Sequence, residues 1–237
     1  MATVTREGLG LLASVRDLDE VALVLAAGVP LIDLKEPARG ALGAVAPDLI
    51  RDAVTLVAGR ALVSATIGDT PTNTDELQNR VRAIGDCGVD FVKVGLLADA
   101  TLPSALAAMA PLSDRYRLVA VLLADRARPT RQTLQEIADA GFAGAMLDTE
   151  DKARGSLPQI IPPQELTAFV RAARERGLLT GLAGSLRLAD IPSLTPLGVD
   201  YLGFRGGLCD GGRVSALNAE KVRKAMAALA APRARTA

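Results

Sequence analysis

Residues 31–37 read Leu-Ile-Asp-Leu-Lys-Glu-Pro and place two charged side chains inside a short apolar run. Side chains of a β-strand alternate between its two faces, so Asp33 and Lys35 share one face while Ile32 and Leu34 share the other. Apolar runs of this length are typical of strands that are covered on both sides. If the apolar pair packs on helices, the charged pair must point into the interior of a closed sheet.

Eight runs of this kind recur along the chain, at a spacing of roughly 20–35 residues, with stretches of helical period between them. The predicted strands are Leu11–Val15, Leu31–Lys35, Leu62–Ile67, Phe91–Leu96, Leu118–Leu123, Gly144–Thr149, Leu179–Gly184 and Tyr201–Gly206. Glycines that are expected to end helices precede six of them, at Gly28, Gly59, Gly88, Gly141, Gly177 and Gly198. Eight alternating strands and helices predict an α/β fold, a single (β/α)8 TIM barrel spanning residues 1–237 with loose tails at about 1–8 and 232–237.

A doubly wound open sheet is the structural alternative to the barrel. Such a sheet usually carries a glycine-rich dinucleotide loop after its first strand. Here the first predicted strand continues into Arg16-Asp17-Leu18-Asp19, which contains no glycine. The sequence therefore favours the barrel.

The composition excludes several classes of function. The 237 residues include 27 Lys+Arg, 27 Asp+Glu and no histidine, and 3% of them are aromatic. Balanced charge and few rings argue against a nucleic-acid-binding surface. The missing histidine excludes Ser-His-Asp and Cys-His catalysis and histidine-ligated zinc. Any proton transfer must then use carboxylates, lysines, tyrosines, thiols or water.

The same sequence gives no sign of a membrane or secreted protein. The longest uncharged apolar run, Val21–Ile32, has 12 residues, which is too short for a membrane span. The N-terminal segment Met1–Gly8 is polar and does not lead into a signal-peptide core. Cys87 and Cys209 do not have a metal-binding spacing. We expect a cytoplasmic protein with two free thiols.

Charged side chains recur at inward positions of the even-numbered strands. By the same alternation, Lys93, Asp148 and Arg205 point inward near the carboxyl ends of the fourth, sixth and eighth strands, where barrel active sites lie. Ion pairs can hold barrel strands together without catalysis. For any single charged residue, this structural interpretation and a functional one are equally well supported. For the group we favour function, since each buried charge is costly unless it is paired. Lysine there could act as nucleophile, general base or phosphate ligand.

The loops after the seventh and eighth strands are the usual phosphate site of a barrel. Gly184 and Ser185 follow the seventh strand, and Arg205, Gly206 and Gly207 follow or end the eighth. Glycine lets backbone N–H groups approach an anion, and arginine adds charged hydrogen bonds. We predict that these five residues bind a substrate phosphate, whereas turn formation alone would also explain the glycines.

Several motifs, in order, resemble those of (5-formylfuran-3-yl)methyl phosphate synthase, the furan-forming enzyme of methanofuran biosynthesis. The resemblance runs from about Leu11 to Ala231. The motifs are Ile32–Pro37 with Gly40–Gly43, Leu62–Asp69, Phe91–Leu96, Met146–Thr149, Leu182–Ser185 and Arg205-Gly206.

The resemblance implies a lyase that condenses two molecules of glyceraldehyde 3-phosphate, with loss of phosphate and water, without a metal or organic cofactor. It implies that Lys35 forms a Schiff base and that Lys93 accepts a proton. Asp33, Asp148 and Lys152 match further functional positions, and the family suggests a homo-oligomer that binds a phosphorylated triose. A generic Schiff-base aldolase or sugar-phosphate isomerase and a non-catalytic phosphometabolite-binding barrel are the alternatives.

Overall fold

The computed structural model describes residues 10–230, apart from the side chain of Lys152. The tails predicted at about 1–8 and 232–237 lie outside these residues. Eight parallel strands form a closed barrel in the order of the sequence, so the prediction of a TIM barrel is confirmed and the open-sheet alternative is wrong. The strands are β1 (Gly10–Val15), β2 (Leu31–Leu34), β3 (Leu62–Thr66), β4 (Phe91–Leu96), β5 (Leu118–Leu123), β6 (Gly144–Asp148), β7 (Leu179–Leu182) and β8 (Tyr201–Phe204).

Helices follow the strands and cover the outside of the barrel. They are α1 (Leu18–Ala26), α2 (Pro47–Val57), α3 (Thr74–Gly85), α4 (Leu102–Met109), α5 (Arg131–Asp139), α6 (Leu157–Ile160), α7 (Pro163–Glu175), α8 (Ile191–Leu194) and α9 (Ala219–Ala230). All six glycines predicted to end helices have positive φ, between 71° and 87°. Among residues 10–230, no helix has the length and apolar character needed to cross a bilayer.

Five strands end one or two residues earlier than predicted, and two of the differences affect the site. β2 ends at Leu34 and β8 at Phe204, so Lys35 and Arg205 are the first residues beyond their strands. The backbone N–H of Lys35 still donates to the carbonyl of Val15, 3.0 Å away, which continues the ladder between β1 and β2. Both residues border the cavity at the barrel mouth.

Two separate apolar clusters show which face of each strand is inside. The larger cluster fills the space between strands and helices and includes Ile32 and Leu34 of β2. The smaller cluster fills the barrel interior and includes Leu31 of β2, Met146 of β6 and Tyr201 of β8. The predicted alternation is therefore confirmed for these strands. Asp33, between the two outward residues, shares the inner face with Leu31.

One side of the barrel mouth is covered by the loop after β2. Thr66 at the end of β3 donates from its hydroxyl to the carbonyl of Leu42, 2.8 Å away. The Leu42 side chain then lies over Gly95 of β4, where a Cβ atom would overlap its Cδ1. A larger residue at position 95 would displace this loop. The open part of the mouth is consequently bordered mainly by β1, β2 and β6–β8.

Candidate active site

A cavity of about 310 Å³ opens at the carboxyl ends of the strands. Most of the predicted site residues that the structure describes border it: Lys35, Lys93, Asp148, Gly184, Ser185, Arg205, Gly206 and Gly207. Ser14, Met146, Arg187 and Arg213 are among the other residues in its wall. The strands thus bring together side chains that are far apart in the sequence.

Asp33 lies beneath the cavity rather than in its wall, and it binds Lys93. Its side chain is fully buried, and its Oδ1 accepts a hydrogen bond from Lys93 Nζ at 2.9 Å. The hydroxyls of Ser64 and Ser14 also donate to the carboxylate, at 2.7 and 3.0 Å. With three donors around it, Asp33 holds the Lys93 ammonium in one position below the cavity.

The charge state of Asp33 follows from a competition between burial and neighbouring charges. Burial by itself raises the pKa of the carboxyl, but the charges of Lys93 and Lys35, with hydrogen bonds from Lys93 and Ser64, lower the pKa below its ordinary value. Asp33 is therefore ionised at neutral pH. An ionised and buried carboxylate that contacts no open space suits positioning better than proton exchange with a substrate.

Lys35 and Asp148 are nearly buried at the end of β2 and at the end of β6. The exposed fraction is 8% for Lys35 and 3% for Asp148. Asp148 accepts a hydrogen bond from the backbone N–H of Thr149 at 2.7 Å. A lysine and a carboxylate thus face the same cavity, which is the combination required for amine chemistry with proton transfer.

Lys152 begins a short 3₁₀ helix in the loop after β6, and its side chain lies outside what the structure describes. The predicted role of Lys152 therefore stays a prediction. Asp125, which follows β5, fixes this loop from the neighbouring strand end. Its two carboxylate oxygens accept from the backbone N–H groups of Glu150 and Asp151, both at 2.8 Å.

The loops after β7 and β8 approach each other closely at the predicted phosphate site. Gly184 and Ser185 both have positive φ, 106° and 48°, and at Ser185 this conformation is unusual for a residue with a side chain. A Cβ atom on Gly207 would overlap the carbonyl oxygen of Leu186. Glycine is required at position 207 because two backbones meet there, at the rim of the cavity.

Arg205 makes a different set of contacts from those predicted. Its guanidinium forms a two-pronged ion pair with the buried carboxylate of Glu20 in α1. Its remaining donors bind the carbonyls of Ser14 at 3.1 Å, Arg213 at 2.8 Å and Ser215 at 2.8 Å. All five N–H groups of the guanidinium are used. The predicted contact between Arg205 and a phosphate stays a prediction that this geometry does not favour.

Several functional neighbours are not evident from the sequence. Ser14 and Ser64 share the inward alternation of their strands, which was the available signal, but small hydroxyls also occur in any barrel interior. Glu20 is 4% exposed, although a glutamate in an amphipathic helix usually faces solvent. Its burial is explained by the ion pair with Arg205, 185 positions away, together with hydrogen bonds from the backbone N–H groups of Arg16 and Leu217.

Tyr201 forms part of the barrel floor below Lys93. Both residues line an internal cavity of about 10 Å³, together with Ser64. Burial raises the pKa of the Tyr201 phenol, and the negative charges of Asp33 and Asp200 raise it further. The phenol therefore stays protonated, which excludes Tyr201 as a general base near neutral pH.

Comparison with protein families gives one match that covers most of the chain. The family model described as 4-HFC-P synthase matches residues 11–226. This range includes the eight strands, apart from Gly10 at the start of β1, and every residue of the cavity wall.

Individual relatives agree with the family model. A protein from Methylorubrum extorquens, provisionally designated (5-formylfuran-3-yl)methyl phosphate synthase, is 45% identical over 232 residues, covering 94% of this chain and 93% of its own. A (5-formylfuran-3-yl)methyl phosphate synthase from Methanopyrus kandleri is 36% identical over 233 residues, covering 93% and 98%.

Solved structures with the same architecture are more distant in sequence. Phosphoribosyl anthranilate isomerase from Thermus thermophilus superposes with a TM-score of 0.67 at 16% identity, covering 93% of this chain and 98% of its own. At this identity, the likeness supports the barrel fold alone.

Proposed function

The chain belongs to the (5-formylfuran-3-yl)methyl phosphate synthase family, and we propose that it condenses two molecules of glyceraldehyde 3-phosphate to this furan aldehyde. Membership in a family of synthases indicates an enzyme; the lyase reaction, the triose substrate and a Schiff-base mechanism are our proposal. One product forms from two trioses with release of one phosphate and two water molecules, which balances the equation.

The observation that carries the proposal is the pair of lysines in one cavity wall. Lys35 and Lys93 both border the cavity, and Asp33 below it binds Lys93 at 2.9 Å. Because its Nζ is held in place by this carboxylate, Lys93 is positioned for proton transfer. Lys35 is then the better candidate for attack on a carbonyl.

In the proposed reaction, the Lys35 amine adds to the carbonyl carbon of the first triose, and water leaves as the imine forms. Lys93, in its neutral amine form, takes the proton from the adjacent carbon and becomes an ammonium, and Asp148 is the carboxylate that faces the same space. The electron pair left on carbon attacks the aldehyde carbon of the second triose. Loss of phosphate and of the second water, with ring closure and release of the Lys35 amine, completes the furan.

Backbone N–H groups of the loops after β7 and β8 are proposed to bind one substrate phosphate. Gly184, Ser185, Gly206 and Gly207 all border the cavity beside the two lysines. A phosphate held at this rim places the carbonyl of a three-carbon substrate inside the barrel mouth. This arrangement orients the reacting carbon toward the lysines.

The proposal is tested by incubating the enzyme with glyceraldehyde 3-phosphate and then with borohydride. We expect a triose adduct on the peptide that contains Lys35, found by mass spectrometry, and an ultraviolet-absorbing furan aldehyde with free phosphate in the untreated reaction. An adduct without furan would indicate an ordinary aldolase. Neither adduct nor furan would contradict the proposed reaction.

Substitution of the two lysines tests their proposed roles directly. Lys35→Ala and Lys93→Ala should each abolish furan formation, by about a thousandfold or more, because each removes a group that acts on the reacting atoms. Lys224→Ala is the control, since Lys224 is exposed in α9 and pairs with Glu220. Full activity in either of the first two variants would remove that lysine from the mechanism.

A further inference from the structure

Arg213 is an arginine of the cavity wall that neither the sequence motifs nor the proposed chemistry uses. It lies in the loop after β8, and its backbone packs directly on Gly206, where a Cβ atom would be 3.6 Å from the Arg213 nitrogen. The side chain starts from the phosphate loop and ends at the loop after β2. There its Nη2 donates to the carbonyls of Pro37, at 2.6 Å, and Gly40.

The partners of Arg213 differ from those of the other two arginines in the wall. Arg205 is paired with Glu20, and Arg187 lies 3.7 Å from Asp190 with 58% of its side chain exposed. Within residues 10–230, Arg213 has no carboxylate at ion-pair distance, and the hydrogen bonds of its side chain go from a single nitrogen to two neutral carbonyls. Its Nε and Nη1 make no hydrogen bond to a described residue.

We propose that Arg213 binds the substrate phosphate held by the loops after β7 and β8, and that Arg205 positions the loop from which Arg213 extends. The proposal rests on the proposed function, whose substrate carries that phosphate. A guanidinium fixed at one nitrogen retains donors for two phosphate oxygens. Arg213 thus lies between the loops proposed to bind the phosphate and the segment that follows Lys35, the proposed imine-forming residue.

The Glu20–Arg205 pair explains how the loop is held. Arg205 binds the carbonyls of Arg213 and Ser215, and Glu20 accepts from the backbone N–H of Leu217 at 3.2 Å. Three backbone groups of residues 213–217 are thus attached to a buried ion pair at the start of α1. These attachments do not involve the Arg213 side chain, which binds the loop after β2 instead.

Electrostatics at Arg213 also agree with an anion site. Burial lowers the pKa of the Arg213 guanidinium, the charge of Asp148 raises it, and the charge of Arg205 lowers it again. Burial is the largest of these effects, and the attraction of Asp148 exceeds the repulsion of Arg205. A bound phosphate would offset the cost of burying the Arg213 charge.

The test uses inorganic phosphate as the probe and the full chain. We expect isothermal titration at constant ionic strength to show that Arg213→Gln weakens phosphate binding by about tenfold or more, because a charged and forked pair of hydrogen bonds is lost. Arg187→Gln is the matched control, since it removes the same charge from the same wall, and it should weaken binding by less than about threefold. Arg213→Lys should give an intermediate loss, because it keeps the charge without the fork.

The outcomes distinguish this proposal from the proposed function. Equal losses in Arg213→Gln and Arg187→Gln, unchanged binding in Arg213→Gln, or no phosphate binding by the wild-type protein would each overturn the role of Arg213. Circular dichroism and the unfolding midpoint would show that a weakened variant is folded. If the wild-type protein binds phosphate through Arg213 but produces no furan from glyceraldehyde 3-phosphate, the proposed reaction fails and the assignment of Arg213 stands.

Discussion

At the scale of single residues, Asp33 connects the stability of the barrel to the arrangement of the site. It is fully buried and accepts hydrogen bonds from Lys93, Ser64 and Ser14, which lie on three different strands. An ion pair of this kind is costly to break on one side, because the remaining charge stays buried. The same contacts that hold four strands together, β1 to β4, also fix the direction of Lys93 toward the floor of the cavity.

Replacement of Asp33 by asparagine should test this role. Asp33→Asn keeps the shape of the side chain but removes the charge opposite Lys93, so we expect the free energy of unfolding to fall by about 3–5 kcal/mol at pH 7. Urea unfolding measures the change. Asp69→Asn, at an exposed position after β3, is the control and should alter stability by less than about 0.5 kcal/mol.

The pH dependence of this difference has a definite sign. Because folding lowers the pKa of Asp33, its contribution is fully present above the ordinary pKa of 3.8 and is lost as the pH falls through the lowered value. The gap between wild type and Asp33→Asn should therefore be constant from about pH 8 to pH 5 and narrow below about pH 4. A variant as stable as wild type at pH 7 would show that the ion pair contributes little.

At the scale of the elements, the segments beyond β7 and β8 are held by backbone contact. Gly207 allows the β8 loop to approach the carbonyl of Leu186 in the β7 loop, and no side chain fits between them. The neighbouring Gly206 faces Arg213 with ordinary spacing, 3.6 Å or more from an added Cβ. The absence of a side chain is therefore required by close backbone contact at Gly207 but not at Gly206.

This difference predicts that alanine substitutions at the two glycines change the stability of the protein by different amounts. Gly207→Ala should lower stability by about 1–3 kcal/mol, because a methyl group has no space against a backbone carbonyl and the loops must separate. Gly206→Ala should stay within about 1 kcal/mol of wild type, since it meets only van der Waals contacts. Thermal unfolding of the two variants is the comparison, and equal midpoints would argue against close loop contact as the constraint at position 207.

At the scale of the whole molecule, the absence of histidine restricts how activity can depend on pH. The sequence contains no imidazole, Asp33 has a lowered pKa, and Tyr201 has a raised one, so none of these titrates between about pH 6 and pH 9. If the Lys35 amine attacks the carbonyl, its deprotonation is the step that pH controls.

The rate of furan formation should therefore increase from about pH 6 to about pH 9, as amine deprotonation proceeds. Initial rates at saturating glyceraldehyde 3-phosphate, corrected for its uncatalysed breakdown, give the profile. Lys35→Arg is the control and should be inactive throughout, because arginine keeps its proton. A rate that decreases steadily over this range would exclude a deprotonated lysine amine as the reacting group.

The sequence by itself determined the barrel and the inward direction of its charged residues. Alternation along a strand has a period of two and depends only on local geometry, so the positions of Asp33, Lys35 and Lys93 could be predicted from their apolar neighbours. Glycine before six of the eight strands indicated the helix ends for an equally local reason.

Only the tertiary structure decided which charges pair and which face the cavity. Asp33 and Lys93 are 60 positions apart and meet across β3, which pairs with both of their strands. Glu20 and Arg205 are 185 positions apart, and their contact depends on closure of the sheet between β1 and β8. Without that closure, Arg205 and Arg213 are two similar arginines near a glycine-rich stretch. Closure brings Glu20 to Arg205 and two neutral carbonyls to Arg213, and this difference in partners separates the positioning arginine from the proposed ligand of phosphate.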